Sequence, residues 1–262
     1  MVIEKIEIVK EFGFTELDKR LRAVTLRGFP DVNIYRDSAI GIRTLTPEQV
    51  GQEVFTPQPS VYLTELQKVS QVAELFSEKG IDIFKLNGGV DYESTNGKGE
   101  ITEWTIIPSV VEVLPIDFDP EARLDYSDHI CEELKSLMKK KGYGLNPEVQ
   151  ELSYPEYESL RKSFKGHTGR IPEICDGSHR IESAIRGGLE QNILFIEGMK
   201  PGFPYYAVPK PYRTVHEVPE RVEEKMDKTH ILTFPGHKLL YRLFPSGGIN
   251  SGNVRPLKKG FD

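Results

Sequence analysis

The run Ile174-Cys175-Asp176-Gly177-Ser178-His179-Arg180-Ile181-Glu182-Ser183-Ala184-Ile185-Arg186-Gly187-Gly188 constrains the fold more than any other stretch of this chain. A short apolar entry ends in Asp176-Gly177, a helix-compatible stretch carrying Ile181, Ala184 and Ile185 follows, and Gly187-Gly188 stops it. The pattern predicts a strand, a tight turn and a helix N-terminus, with His179 and Arg180 in the first helical turn. Unpaired backbone N–H groups and the positive end of the helix dipole suit such a turn to an anion, above all a phosphate. Gly177 lets the backbone approach closely, and Arg180 has the planar fork that matches phosphate oxygens. The alternative is a plain strand–helix junction, capped by Asp176, with His179 and Arg180 solvated.

Asp176-Gly177-Ser178-His179-Arg180 resembles the signature of the ParB/sulfiredoxin superfamily, whose members bind nucleotide phosphates at a strand–turn–helix ending in His-Arg or Arg-Arg. The resemblance covers the stretch from about Val110 to Ile196. Asp-Gly-x-His-Arg is closest to the branch that holds the free serine kinases. Sulfiredoxins carry a catalytic Cys just before the His-Arg; Ser178 stands there, so that thiol chemistry has no nucleophile. Partition-type ParB proteins continue into a helix-turn-helix region, whereas the downstream segment of this chain is rich in Pro and Gly. The resemblance implies a phosphotransferase using ATP or ADP, with CTP as a third candidate, on a small hydroxyl metabolite such as free serine. Its rival is a ParB-like nucleotide-binding, DNA-associated protein or nuclease.

The whole chain reads as an α/β fold in three parts. Residues 1–107 form an N-terminal mixed-sheet domain, and 108–199 a ParB/sulfiredoxin-like nucleotide-binding domain. Residues 200–262 form a Pro/Gly-rich basic extension closing over the site. Net charge follows these divisions at −5, −6 and +5, which argues for a local anion site more than a DNA-wide basic stripe. No apolar run reaches membrane-spanning length, and Met1-Val2-Ile3-Glu4-Lys5 is too charged to open a signal peptide, which predicts a cytoplasmic protein. Cys131 and Cys175 make no disulfide framework, and the histidines have no paired metal-ligand spacing.

Periodicity predicts strands at Ile3–Val9, within Leu21–Leu26, at Val32–Tyr35, Ile40–Arg43, Ile81–Leu86, Val110–Leu114 and Asn192–Ile196. Helical spacing of Leu66, Val69, Val72, Ala73 and Phe76 predicts a helix from Thr64 to Lys79. Ser94–Gly99 separates two halves of a hairpin. A second helix is expected after Ser127 or Asp128, and Lys238–Phe244 fits either a helix or a strand.

Phosphoryl transfer needs a cradle, charge stabilisation and a base for the attacking hydroxyl. Asp176, Gly177, Ser178, His179 and Arg180 supply the cradle. In the kinases that the chain resembles, a Glu lies in the loop after the first domain strand, which singles out Glu121, with Asp119 second. Carboxylates crowded in one loop raise one another's pKa; a solvated acidic loop is the competing reading. Mg²⁺ is expected with the nucleotide; Asp176 is open to two roles, helping to hold the ion or capping the helix. Lys238, Arg242 and Arg255, around the Ser246–Asn253 loop, are expected to close over the phosphates.

Overall fold

A computed structural model describes residues 3–26, 29–33, 35–56, 60–115, 170–198, 210–218, 242–244 and 247–248. In chain order they form β1 (Ile3–Gly13), α1 (Phe14–Arg22), β2 (Thr25–Leu26), β3 (Phe29–Asn33), β4 (Ala39–Leu45) and α2 (Pro47–Glu53). Next come β5 (Phe55–Thr56), β6 (Ser60–Tyr62), α3 (Leu63–Ser77), β7 (Gly88–Asn96), β8 (Ile101–Ile106) and β9 (Ser109–Pro115). β10 (Arg170–Asp176), α4 (Ser178–Arg186) and β11 (Gln191–Glu197) carry the glycine turn. β12 (Lys210–Pro211), a 3₁₀ turn (Tyr212–Thr214), β13 (His216–Val218), β14 (Arg242–Phe244) and β15 (Gly247–Gly248) complete the described elements. The fold is mixed α/β.

The main sheet has six strands in the order β12-β5-β10-β9-β11-β4. It draws on all three sequence segments. β9 lies at its middle, antiparallel to β10 and parallel to β11. One face carries Val111, Ile174, Ile193 and Phe195, which pack with Val50 of α2, Val54 just after it, Ile181 of α4 and Tyr212. Alternation along the strands puts Glu112 and Glu173 on the other face. These two carboxylates sit directly opposite each other across β9 and β10, both fully buried, and the Tyr35 hydroxyl donates to Glu112 Oε1.

A three-stranded sheet, β1-β7-β8, packs on α3 around a second core of Ile6, Phe76, Val90, Tyr92 and Ile106. The hairpin at Ser94–Gly99 forms as expected, its turn held by Asn96 Oδ1 accepting from the Lys98 and Glu100 N–H groups. Gly88 is required here, because a Cβ at that position would lie 1.9 Å from the Phe12 carbonyl oxygen.

One expectation fails, for a local reason. Ile81–Leu86 is a turn, not a strand: the Asp82 side chain accepts from the Phe84 N–H, and Asn192 ties the loop down through the Phe84, Lys85 and Leu86 carbonyls. Its isoleucines are apolar because they fill the second core. The strand expected within Leu21–Leu26 is β2, confined to Thr25–Leu26, while Leu21 belongs to α1. Leu17 and Leu21, four apart, form the buried stripe, and Asp18–Arg22 bridges the exposed side.

α2 begins with a capping box in which Thr46 Oγ1 accepts from the Gln49 N–H and the Gln49 side chain accepts from the Thr46 N–H. Thr46→Ala removes one of these bonds and should cost about 1 kcal/mol in urea denaturation, with Thr46→Ser restoring most of it.

Candidate functional site

β10 delivers the chain to Gly177, which sits at φ +85°, ψ +21° and serves as the N-cap of α4. That left-handed conformation is one that glycine adopts without steric penalty. A side chain would also have no room, since a Cβ would meet Ser109 Oγ at 2.4 Å. Ser109 Oγ in turn donates to the Gly177 carbonyl at 3.4 Å. The Ile181 N–H closes the first helical bond on that same carbonyl, so the N–H groups of Ser178, His179 and Arg180 have no intrahelical acceptor.

α4 starts differently from the other described helices. α2 has a side-chain cap, and α1 and α3 carry Glu16 and Glu65 in their first turns, offsetting the positive helix end. α4 has neither a side-chain cap nor an acidic residue in its first turn. His179 faces the start of α3. The backbone N–H of Tyr62, the N-cap of α3, donates to His179 Nε2 at 3.2 Å, and the two rings stack with centroids 5.7 Å apart. An N–H donor facing Nε2 requires that nitrogen to be unprotonated, so a neutral His179 carries its proton on Nδ1. The contact brings the first turns of two helices together.

Arg180 turns inward. Its guanidinium is 6% exposed; Nη2 lies 3.2 Å from Asp176 Oδ2, and Nη1 donates to the Ile107 carbonyl in the link between β8 and β9. The pair spans one helical turn, from the last residue of β10 to the third of α4. Burial pulls the Arg180 pKa below its ordinary value, and the Asp176 charge offsets part of that. The neighbouring Tyr92 hydroxyl is pushed up to about 12 by burial, with Arg180 acting the other way. Of the predicted cradle, Gly177, Ser178 and His179 therefore line the turn, while Asp176 and Arg180 lie beneath it. Asp176 is buried on Arg180, so its geometry does not suit a Mg²⁺ ligand, and no group of three or more His, Cys, Asp or Glu suited to a metal occurs among the described residues.

Tyr212 was not legible as a site residue. Its ring is buried under α4, and its hydroxyl lies 3.3 Å from the Ser178 carbonyl and 3.1 Å from Glu182 Oε2. Burial and the Glu182 charge raise its pKa. The Pro-rich surroundings gave no sign that this tyrosine packs on the helix.

Glu121, Asp119, Lys238 and Arg255 lie outside the described residues. Arg242 begins β14, which pairs with β2 in a separate four-stranded sheet. It is the start of β9, at Ser109 and Val110, that adjoins the turn, whereas its end at Pro115 pairs with Arg170, the far end of β10. A surface depression of about 720 Å³ lined by Lys10, Phe14, Glu16 and Lys19 includes none of the turn residues. It borders the ion pairs of Glu16 with Lys10 and Arg20, and we read it as structural.

Residues 16–118 match the ParB CE domain family. The match runs from α1 into the stretch after β9 and supports the ParB-like superfamily. It stops before the glycine turn, although β9 pairs directly with the strand that carries it. No curated protein and no solved structure matches the chain. No described helix is long and apolar enough to cross a membrane.

Asp176→Ala strands the Arg180 charge in the interior and should cost about 3–5 kcal/mol in denaturant unfolding. The double variant Asp176→Ala/Arg180→Met should recover a large part of that loss. Tyr92 gives a pH signature. Its folded pKa is raised from the ordinary 10 to about 12, so its contribution is intact below pH 10 and is lost as the pH climbs toward 12. Unfolding measured between pH 9 and 12 should show a shallower loss in Tyr92→Phe than in the wild type.

Proposed function

We propose that the protein binds the phosphates of a nucleotide, ATP, ADP or CTP, against the first turn of α4. The observation that carries this reading is the N-terminus of α4. It follows a left-handed glycine and offers three N–H groups without intrahelical acceptors, and it has neither a side-chain cap nor a first-turn acid. His179 ties this turn to the nearby start of α3 through Tyr62; Glu65 offsets that helix end, so the positive end that favours an anion is the one of α4. Gly177, Ser178 and His179 meet the phosphate, chiefly through backbone N–H groups. Asp176 and Arg180 hold the turn in shape. This chain's own residues bind and orient the nucleotide, and a Mg²⁺ ion bound with it would supply charge neutralisation.

The Asp-Gly-x-His-Arg resemblance adds an activity to this binding: phosphoryl transfer to the hydroxyl of a small metabolite, free serine or a compound like it. Glu121, with Asp119 as alternate, is the base in that reading. A second reading is a ParB-like nucleotide-binding, DNA-associated protein, and the specific observation in its favour is the ParB CE domain match over residues 16–118.

Thermal unfolding of the full chain with a panel of nucleotides tests the binding. A ligand present at 100 to 1,000 times its Kd should stabilise the fold by about 3–4 kcal/mol. His179→Ala should weaken that stabilisation, while Ser178→Ala should leave it nearly unchanged, because the Ser178 contribution is its backbone N–H. No stabilisation by any nucleotide contradicts the proposal. If transfer to a free hydroxyl metabolite is found, Glu121→Gln should lower turnover by about 10²-fold or more with nucleotide affinity kept. DNA binding without such transfer selects the second reading.

A further inference from the structure

Residues 210–218 touch both helices that frame the turn at Gly177, and they do so by independent contacts. β12 adds to the edge of the main sheet, with Lys210 opposite Thr56 and Pro211 opposite Phe55. Proline is tolerated at such an edge. The Tyr212 N–H donates to the Val54 carbonyl at 3.0 Å, and the Val215 N–H closes the 3₁₀ turn on the Tyr212 carbonyl at 2.9 Å. The Tyr212 ring, 3% exposed, joins the core that contains Val111, Ile174 and Ile181.

Two arms leave this anchor. One is the Tyr212 hydroxyl, shared between the Ser178 carbonyl and the Glu182 carboxylate in the first turns of α4. Arg186 reinforces it by bridging Glu182 at 2.9 Å and Glu217 at 2.7 Å. The other arm is β13, which runs parallel to β6 with Val218 opposite Tyr62. Tyr62 is the N-cap of α3 and donates to His179. One segment of nine residues thus fixes the start of α4 from one side and the start of α3 from the other.

We propose that Tyr212 is a positioning residue for the phosphate site, and that docking of residues 210–218 and binding of a phosphate ligand are thermodynamically linked. The inference rests on the proposed nucleotide site. A hydroxyl on the Ser178 carbonyl sets the pitch of the first turn and so the aim of its N–H groups. By reciprocity, a ligand that needs those N–H groups in place strengthens the docking of the segment.

The test uses the full chain with pyrophosphate and with ATP as probes. Hydrogen exchange at the Tyr212 and Val215 amides and along β13 should slow when either probe is bound. Tyr212→Phe keeps the ring and deletes the hydroxyl, and it should bind about three- to tenfold more weakly, the range expected for one net hydrogen bond. Glu182→Gln keeps an acceptor for that hydroxyl and should retain more affinity than Glu182→Ala. Circular dichroism and the unfolding midpoint establish that each variant is folded. If Tyr212→Phe proves unfolded, the exchange measurement on the wild type decides alone. Binding to the wild type with unchanged exchange across 210–218, or with equal affinity in folded Tyr212→Phe, overturns the linkage while leaving the site intact. Absence of any binding to the wild type removes the site itself, and the linkage falls with it.

Discussion

The buried pair between Arg180 and Asp176 is the contact on which the arrangement of this molecule depends. Arg180 sits where two hydrophobic cores meet. Its guanidinium takes Asp176 at the end of β10 and the carbonyl of Ile107, in the link between the two main sheets, and it lies within electrostatic reach of Tyr92 in the second core. A charge withdrawn from water this far is tolerable only with close partners, and breaking such a pair by deleting one member costs far more than the pair contributes. The same interaction that joins the cores therefore fixes the turn at Gly177. The pair resembles a structural bolt more than a ligand contact.

From that constraint the rest of the site follows. With Arg180 drawn inward and Ser109 filling the space where a side chain on Gly177 would stand, the first turn of α4 has no freedom to close on itself. His179 then links this turn to the start of α3, and Tyr212 braces it from the opposite side. Preorganised donors of this kind bind an anion without having to be ordered first, which is the physical advantage of a helix N-terminus over a pair of mobile lysines.

Much of this was legible in the sequence, and the limits have physical causes. Asp176-Gly177 followed by a 3.6-residue period specifies a strand, a left-handed turn and a helix, because few residue pairs other than these satisfy the turn. The hairpin around Asn96-Gly97 reads equally well. The direction of the Arg180 side chain does not, since an arginine in a first helical turn is compatible with a ligand outside or a carboxylate beneath, and only the packing of Asp176 decides. Ile81–Leu86 misled because an apolar loop that plugs a core has the composition of a strand. α2 buries Val50 alone, too little for an apolar period, although Thr46-Pro47-Glu48-Gln49 is a legible helix start. Tyr212 depends on a contact with Ser178 that no local pattern encodes.

The central claim is that the backbone N–H groups at the start of α4 receive a phosphate. The most direct measurement follows the backbone amide resonances of the isotopically labelled protein as a nucleotide is added. The account predicts that the largest shifts fall on Ser178, His179 and Arg180, with smaller ones at Tyr62 and Leu63. Saturable shifts confined to other parts of the chain, or none at millimolar nucleotide, would contradict it.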